Sequence, residues 1–61
     1  MKEKYCVVYT NAEGGTEIQK FFYLKRAREF ANGMLSILGN VEINLCTWTK
    51  TRGVGQIIKR Y

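Results

Sequence analysis

Two cysteines, Cys6 and Cys46, are the side chains of this chain that are best suited to covalent or metal chemistry. Their usual helpers are missing, because the sequence contains no His and no Asp. It therefore cannot supply a Ser-His-Asp or Cys-His arrangement, a pair of aspartates or an EF-hand, and two cysteines alone lack the further ligands of a zinc site. We expect no catalytic residues, no bound metal and no cofactor, and we expect that the protein is not an enzyme.

Both cysteines lie within apolar, strand-like runs of sequence. A reduced thiol in such a run behaves as a small hydrophobic side chain. We interpret Cys6 and Cys46 as buried thiols of a cytoplasmic protein, with a disulfide as the alternative. No apolar run approaches the roughly 18 residues of a membrane span, and the first apolar run is too short for a signal peptide, so we expect no membrane association.

Basic residues outnumber acidic residues by ten to five, which gives a formal net charge of +5. This balance permits anionic partners without requiring them. Lys50 and Arg52 precede Gly53 and Gly55, but the spacing of a Walker-type phosphate loop is absent and no helix follows. We therefore interpret residues 51–55 as a hairpin turn.

The strongest pattern in the chain predicts a helix, α1, over residues 24–38. Its apolar side chains recur at helical spacing, at Ala27, Phe30, Ala31, Met34, Leu35 and Leu38. Because the rest of the chain resembles strands and turns, this helix must cover one face of the sheet. We expect the core to consist of Phe30, Ala31, Met34, Leu35 and Leu38 packed on Val41, Ile43 and Leu45.

The start of this helix is poorly capped and basic. Tyr23 stands where Ser, Thr, Asp or Asn would normally bind the first free N–H groups. Because a helix start favours anions, the basic residues of the first turns are a possible anion contact, with a solvated basic face as the alternative. These residues are Lys25, Arg26 and Arg28.

Two glycines in this region predict special backbone positions. Gly33 lies inside the helix, where glycine costs about 1 kcal/mol relative to alanine, and close approach of another backbone would explain it. Gly39, followed by Asn40, predicts a left-handed end to the helix.

Four short runs rich in β-branched and aromatic residues predict strands. They are β1 (residues 4–10), β2 (16–23), β3 (41–50) and β4 (56–61). A right-handed crossover through α1 places β3 beside the free side of β1. The sequence thus predicts one α+β domain, β1-β2-α1-β3-β4, with a four-stranded antiparallel sheet in the order 2-1-3-4 and one helix on one face. We expect β4 to be an edge strand that Lys59 and Arg60 protect.

The loop between β1 and β2 leaves the register of this hairpin open. Ile18 and Phe22 share one face of β2. A loop of two or four residues places the odd-numbered residues of β1 beside them, whereas a three-residue loop with a left-handed Gly14 places the even-numbered residues there. The odd-numbered set is Tyr5, Val7 and Tyr9, and the even-numbered set is Cys6 and Val8.

A single helix covers one face of the sheet, so the other face keeps an excess of apolar side chains. Exposed apolar patches of this kind usually mark binding surfaces. Our first hypothesis is a surface that binds protein, in a homodimer or on a larger partner. Its anchors are Phe21, Tyr23 and Trp48, and its rim is Lys50 and Arg52.

The second hypothesis is a platform for single-stranded nucleic acid. The same three aromatic side chains would stack on bases, while basic residues contact phosphates. Because no RNP-like motif is present and the basic residues are scattered, we place this hypothesis second. The expected phosphate contacts are Lys20, Lys50, Arg52, Lys59 and Arg60.

The short chain, the lack of catalytic side chains and the sheet with one helix together resemble small accessory or inhibitor proteins of bacteriophages and mobile elements. The resemblance rests on this architecture, and no diagnostic motif supports it. It implies that the protein acts by occupying a surface of a larger host protein.

Overall fold

The computed structural model describes residues 3–39 and 42–61 of the chain. The described elements are β1 (Tyr5–Thr10), β2 (Thr16–Phe21), α1 (Leu24–Leu38), β3 (Ile43–Thr49) and β4 (Gly53–Arg60). The four strands pair antiparallel in the spatial order β2-β1-β3-β4. The predicted fold and the predicted bounds of the helix are therefore confirmed.

The hairpin of β1 and β2 closes around a three-residue loop. Asn11 N–H donates to the Gly15 carbonyl at 2.8 Å, and Gly14 N–H donates to the Asn11 carbonyl at 3.0 Å. Gly14 has a φ of +86°, a left-handed conformation that glycine adopts without steric cost. Val8 is consequently the register partner of Ile18, which confirms the second of the two predicted registers.

The turn between β3 and β4 is shorter than the sequence suggested. Thr49 and Gly53 are register partners, so β4 begins at Gly53 and the predicted turn residue Gly55 belongs to the strand. The register of β4 then shifts opposite Thr47, whose Oγ1 accepts the Gln56 N–H at 2.9 Å. This hydroxyl also occupies the space that a side chain on Gly55 would need. Such a bulge makes an edge strand a poor template for further pairing.

The core lies between α1 and the two central strands. Val7, Ile43 and Leu45 pack there against Ala27 and Ala31, and all five side chains are fully buried. Half-buried side chains surround this cluster, and they are Tyr5, Tyr9, Phe21, Leu24, Phe30, Met34 and Tyr61. The Phe30 ring centroid lies 5.7 Å from that of Tyr9 and 5.3 Å from that of Phe21.

One expected core residue, Leu35, lies outside this core with 39% of its surface exposed. The prediction was wrong because the helix contacts the sheet through Ala27 and Ala31 and along the flank that carries Phe30. Leu35 lies on the opposite flank of the helix, at the margin of the contact. The contacts expected of Val41 and of the Leu38 side chain lie outside the described residues.

The two helix ends agree with the sequence. Tyr23 is the N-cap and, within the described residues, its side chain makes no capping hydrogen bond. Gly39 has a φ of +71° and its N–H donates to the Leu35 carbonyl at 3.0 Å; Asn40 lies outside the described residues. A Cβ added at Gly33 would meet no atom within 4 Å, so no described backbone explains this glycine. Over the ranges described, no helix combines the length and the apolar character that crossing a bilayer demands.

Candidate functional site

The side of the sheet that faces away from α1 is called the open face below. Strand register assigns side chains to it, because residues paired across strands point to the same side and alternate along each strand. The open face consists of Lys4, Cys6, Val8, Thr10, Thr16, Ile18, Lys20, Glu42, Asn44, Cys46, Trp48, Val54, Ile57 and Arg60.

Aliphatic side chains on the outer strands leave much of this face apolar and exposed. Ile18 is 45% exposed, Val54 42% and Ile57 45%. The only described helix lies on the opposite side of the sheet, and the other described segments are strands and their connections. No described element therefore covers the open face.

The centre of the open face is nevertheless closed to solvent. Cys6 and Cys46 are register partners on the two central strands, with 0% and 2% of their surfaces exposed. The Lys20 Nζ lies 4.7 Å from the ring centroid of Trp48, so this pair reaches from β2 across β1 to β3. Contacts of an ammonium with an indole ring are attractive, and this one forms a cover beside the thiols.

Burial changes the acidity of both thiols. The pKa of Cys6 rises from 9.0 to about 11, mainly because burial disfavours the thiolate and also because the Cys46 thiol lies beside it. Burial raises the pKa of Cys46 as well, although a hydrogen bond from Cys6 opposes this rise. Both groups are free thiols, as the sequence predicted, and burial disfavours their thiolate forms.

A basic cavity borders Trp48 at one end of the open face. Its volume is about 290 Å³, and it is lined by Glu3, Lys4, Trp48, Thr49, Lys50 and Thr51. The two lysines place positive charge beside an indole wall. The cavity could thus accept an apolar group that carries a negative charge.

Of the predicted anchors, Trp48 lies on the open face, and the predicted rim residues Lys50 and Arg52 lie in the adjacent turn. Phe21 lies on the other side of the sheet. The three-residue hairpin loop sets a register that turns Phe21 towards α1, where it packs on Phe30. Tyr23 lies beyond the end of β2 as the N-cap of the helix. The predicted aromatic cluster was therefore wrong for Phe21 and Tyr23.

The predicted anion contact lies on the helix side of the molecule. Lys25, Arg26 and Arg28 are exposed, and the Arg26 Nη1 lies 3.6 Å from the Glu29 Oε1. An exposed pair of this type contributes little to stability. These three cations are thus separate from Lys50 and Arg52.

Sequence reasoning missed three aliphatic members of the open face. The position of Ile18 depends on the hairpin register, which the sequence left open. Val54 was assigned to a turn, and the bulge in β4 shifts the alternation that would have placed Ile57. The Gly14-Gly15 pair was compatible with either register, and nothing in the sequence marked the bulge.

Among residues 3–39 and 42–61, no group of three or more His, Cys, Asp or Glu side chains is placed to hold a metal ion. No family model, curated protein or solved structure matches this chain. The open face is therefore the feature of this chain from which a function can be inferred.

Proposed function

We propose that the protein is a small, non-enzymatic binding module of the cytoplasm that forms a homodimer and acts by occupying a surface of a larger protein. The observation that carries this proposal is the open face, where Val54 beside the half-buried Trp48, Ile57 in the next row of paired residues and Ile18 in the row beyond are all exposed. Each Å² of apolar surface that is removed from water contributes about 25 cal/mol of favourable free energy, so covering this face stabilises a complex. Accessory and inhibitor proteins of phages and mobile elements act in this way.

A second copy of the chain can cover the open face. A domain of 61 residues buries only about 60% of the surface of its unfolded chain, so it gains from further burial. Two open faces can pack as a sandwich of sheets about 10 Å apart. A larger partner that uses the same face then competes with the dimer.

The charges around Trp48 favour an acidic partner. Four cations and one acid, Glu3, lie at or next to the end of the open face that carries Trp48, so positive charge is in excess there. The cations are Lys4, Lys20, Lys50 and Arg52. Protein interfaces commonly combine a buried aromatic anchor with a charged rim, and the rim steers a partner of opposite charge. The complementary surface is an apolar patch bordered by carboxylates.

Single-stranded nucleic acid is the second candidate, and the cavity that joins Trp48 to Lys4 and Lys50 favours it. Two placements favour the protein partner instead. Phe21 is committed to the core, and Lys20 already lies over the ring of Trp48. A base could stack on that side of the indole only by displacing the ammonium.

The first experiment compares two exposed isoleucines by sedimentation at high micromolar concentration. Ile57 lies on the open face, and Ile37 lies on the helix with 77% of its surface exposed. We expect the parent and Ile37→Lys to sediment as dimers of the 7.1 kDa chain and Ile57→Lys as a monomer, because only the lysine at position 57 enters the interface. A parent that remains monomeric contradicts the homodimer.

The second experiment identifies what the open face binds, by capture from host lysate with and without nuclease. We expect partner proteins to persist after nuclease treatment and Trp48→Ala to lose them more completely than the double variant Lys50→Ala with Arg52→Ala. We also expect affinity for single-stranded DNA or RNA no tighter than micromolar at physiological salt. If the double variant abolishes binding, Trp48→Ala spares it and affinity falls steeply with salt, the nucleic-acid function replaces the first.

A further inference from the structure

The two buried thiols of the open face are unusual because neither belongs to the core on the helix side. Cys6 and Cys46 are direct register partners, and the core cluster consists of their neighbours on the other side of the sheet. Small hydrophobic side chains of other types would fill the same space. What distinguishes two paired thiols from those side chains is their ability to react with each other.

The backbone places these two residues within reach of a disulfide. Trp48 N–H donates to the Lys4 carbonyl at 2.8 Å, which marks Lys4 and Trp48 as a hydrogen-bonded pair. The cysteine pair lies two residues further along both strands, so it is a pair of the same kind, with Cα atoms about 5.5 Å apart. Disulfides span Cα separations of roughly 4.4 to 6.8 Å, and this pair falls within that range.

We propose that Cys6 and Cys46 form an oxidative modification site, at which a peroxide converts the two thiols into a cross-strand disulfide on the open face. The proposal does not depend on the function proposed above. It assigns to the thiol pair a reaction that the paired geometry permits within a single chain.

The reaction is balanced by hydrogen peroxide alone. The Cys46 thiol loses its proton, and its thiolate attacks one peroxide oxygen. The O–O bond breaks, the sulfur becomes a sulfenic acid, and the second oxygen leaves as hydroxide, which takes up the released proton to become water. The Cys6 sulfur then attacks the Cys46 sulfur, the S–O bond breaks, and the hydroxide leaves as a second water after taking the Cys6 proton. The sulfur pair loses two electrons, and both peroxide oxygens end as water.

The order of attack follows from the surroundings of the thiols. The Cys6 thiol donates a hydrogen bond to the Thr47 carbonyl at 3.8 Å, which favours its protonated form and leaves Cys46 as the first nucleophile. The charged groups that share the open face are three cations and one acid. Lys4, Lys20 and Arg60 favour a thiolate, whereas Glu42, which lies beside Thr10 and Asn44, opposes it. Burial outweighs the cations, since the pKa of both thiols is raised.

The cover beside the thiols controls access of the oxidant. Cys6 and Cys46 have almost no exposed surface, and the contact of Lys20 with Trp48 lies across the strand that carries Cys6. Peroxide must therefore wait for this contact to open. Removal of the indole leaves all charges unchanged, so Trp48→Ala isolates the effect of the cover from that of the cations.

The test exposes the reduced, full-length protein to hydrogen peroxide and follows its intact mass. It uses a protein concentration at which the chain sediments as a monomer, so that a second copy does not cover the open face. We expect the loss of two hydrogen atoms, no covalent dimer on a non-reducing gel, and full recovery with a thiol reductant. The fluorescence of Trp48 reports the same change, because the disulfide forms beside the indole. Added oxygen as the main stable product, or a covalent dimer, overturns the proposal.

Variants locate the reaction. We expect Cys6→Ala to stop at a sulfenic acid that a dimedone probe traps, and Cys46→Ala to react more slowly, because its remaining thiol donates to the Thr47 carbonyl and stays protonated. Trp48→Ala should form the disulfide about tenfold faster than the parent, whereas Ile37→Ala on the helix should match the parent. Circular dichroism verifies that each variant is folded. If Trp48→Ala does not fold, the mass change of the parent protein still tests whether the disulfide forms. Equal rates for folded Trp48→Ala and parent overturn the role of the cover.

Discussion

The two faces of the sheet are made by the same four strands, yet they are stabilised differently. On the helix side, Val7 and Leu45 pack against a second layer and are fully buried. On the open face, Cys6 and Cys46 are buried without a second layer, while Ile18 and Ile57 on the outer strands stay exposed. On the open face, a side chain is buried when it lies on a central strand and exposed when it lies on an outer strand. On the helix side, side chains are buried because the helix covers them.

This difference indicates where the molecule can bind a partner without losing its fold. The helix side contains the fully buried cluster between α1 and the central strands, so its side chains are committed to stability. The outer strands of the open face contribute side chains that a partner can cover. Folding and binding thus use opposite sides of one sheet.

The largest expected effect comes from truncating matched side chains on the two faces. Leu45→Ala removes a fully buried side chain and should lower the free energy of unfolding by about 2 to 5 kcal/mol. Ile57→Ala removes as many carbon atoms from a half-exposed site and should cost about 1 kcal/mol or less in the monomer. Urea unfolding at low protein concentration measures both values. Equal costs would mean that the open face is covered in the monomer too.

The second effect is a pH dependence of stability that arises from the buried thiol of Cys6 on the open face. Because folding raises the pKa of Cys6 from 9.0 to about 11, its stabilising contribution is complete below pH 9 and is lost as the pH rises to about 11. The loss should be about 2 to 3 kcal/mol, the free energy that corresponds to this shift. Unfolding at several pH values should show this decline in the parent and a smaller one in Cys6→Ala. Parallel curves would place the Cys6 thiol in contact with solvent.

A smaller effect is expected at Leu35, at the margin of the helix contact. With 39% of its surface exposed, Leu35→Ala should cost about 1 kcal/mol, well below the cost of Leu45→Ala. The same urea titration compares the two leucines directly. A cost equal to that of Leu45→Ala would return Leu35 to the core that the sequence predicted.

The smallest effect concerns the outer side of the helix. Since a Cβ at Gly33 meets no atom within 4 Å, Gly33→Ala should stabilise the protein by up to about 1 kcal/mol and leave sedimentation unchanged. Thermal unfolding and sedimentation measure the two properties. A stable variant that no longer dimerises would move the interface from the open face to the helix.

Much of the fold could be predicted because its signals are local. Apolar spacing alone defined the helix from Leu24 to Leu38, and the rule of right-handed crossovers then gave the strand order. Trp48 was assigned to the open face for a similar reason, since β3 alternates cleanly. Phe21 was misplaced because a change of one residue in the hairpin loop exchanges the two faces of a strand.

The sequence by itself determined the element order, the bounds of the helix, the excess of cations and the absence of His and Asp, because each depends on residue types or on neighbours along the chain. Tertiary structure alone decided the hairpin register, the bulge opposite Thr47, the pairing of Cys6 with Cys46 and the contact of Lys20 with Trp48. Each of these joins residues from different strands. Their energies depend on distances that exist only after the sheet has formed, so no pattern along the chain specifies them.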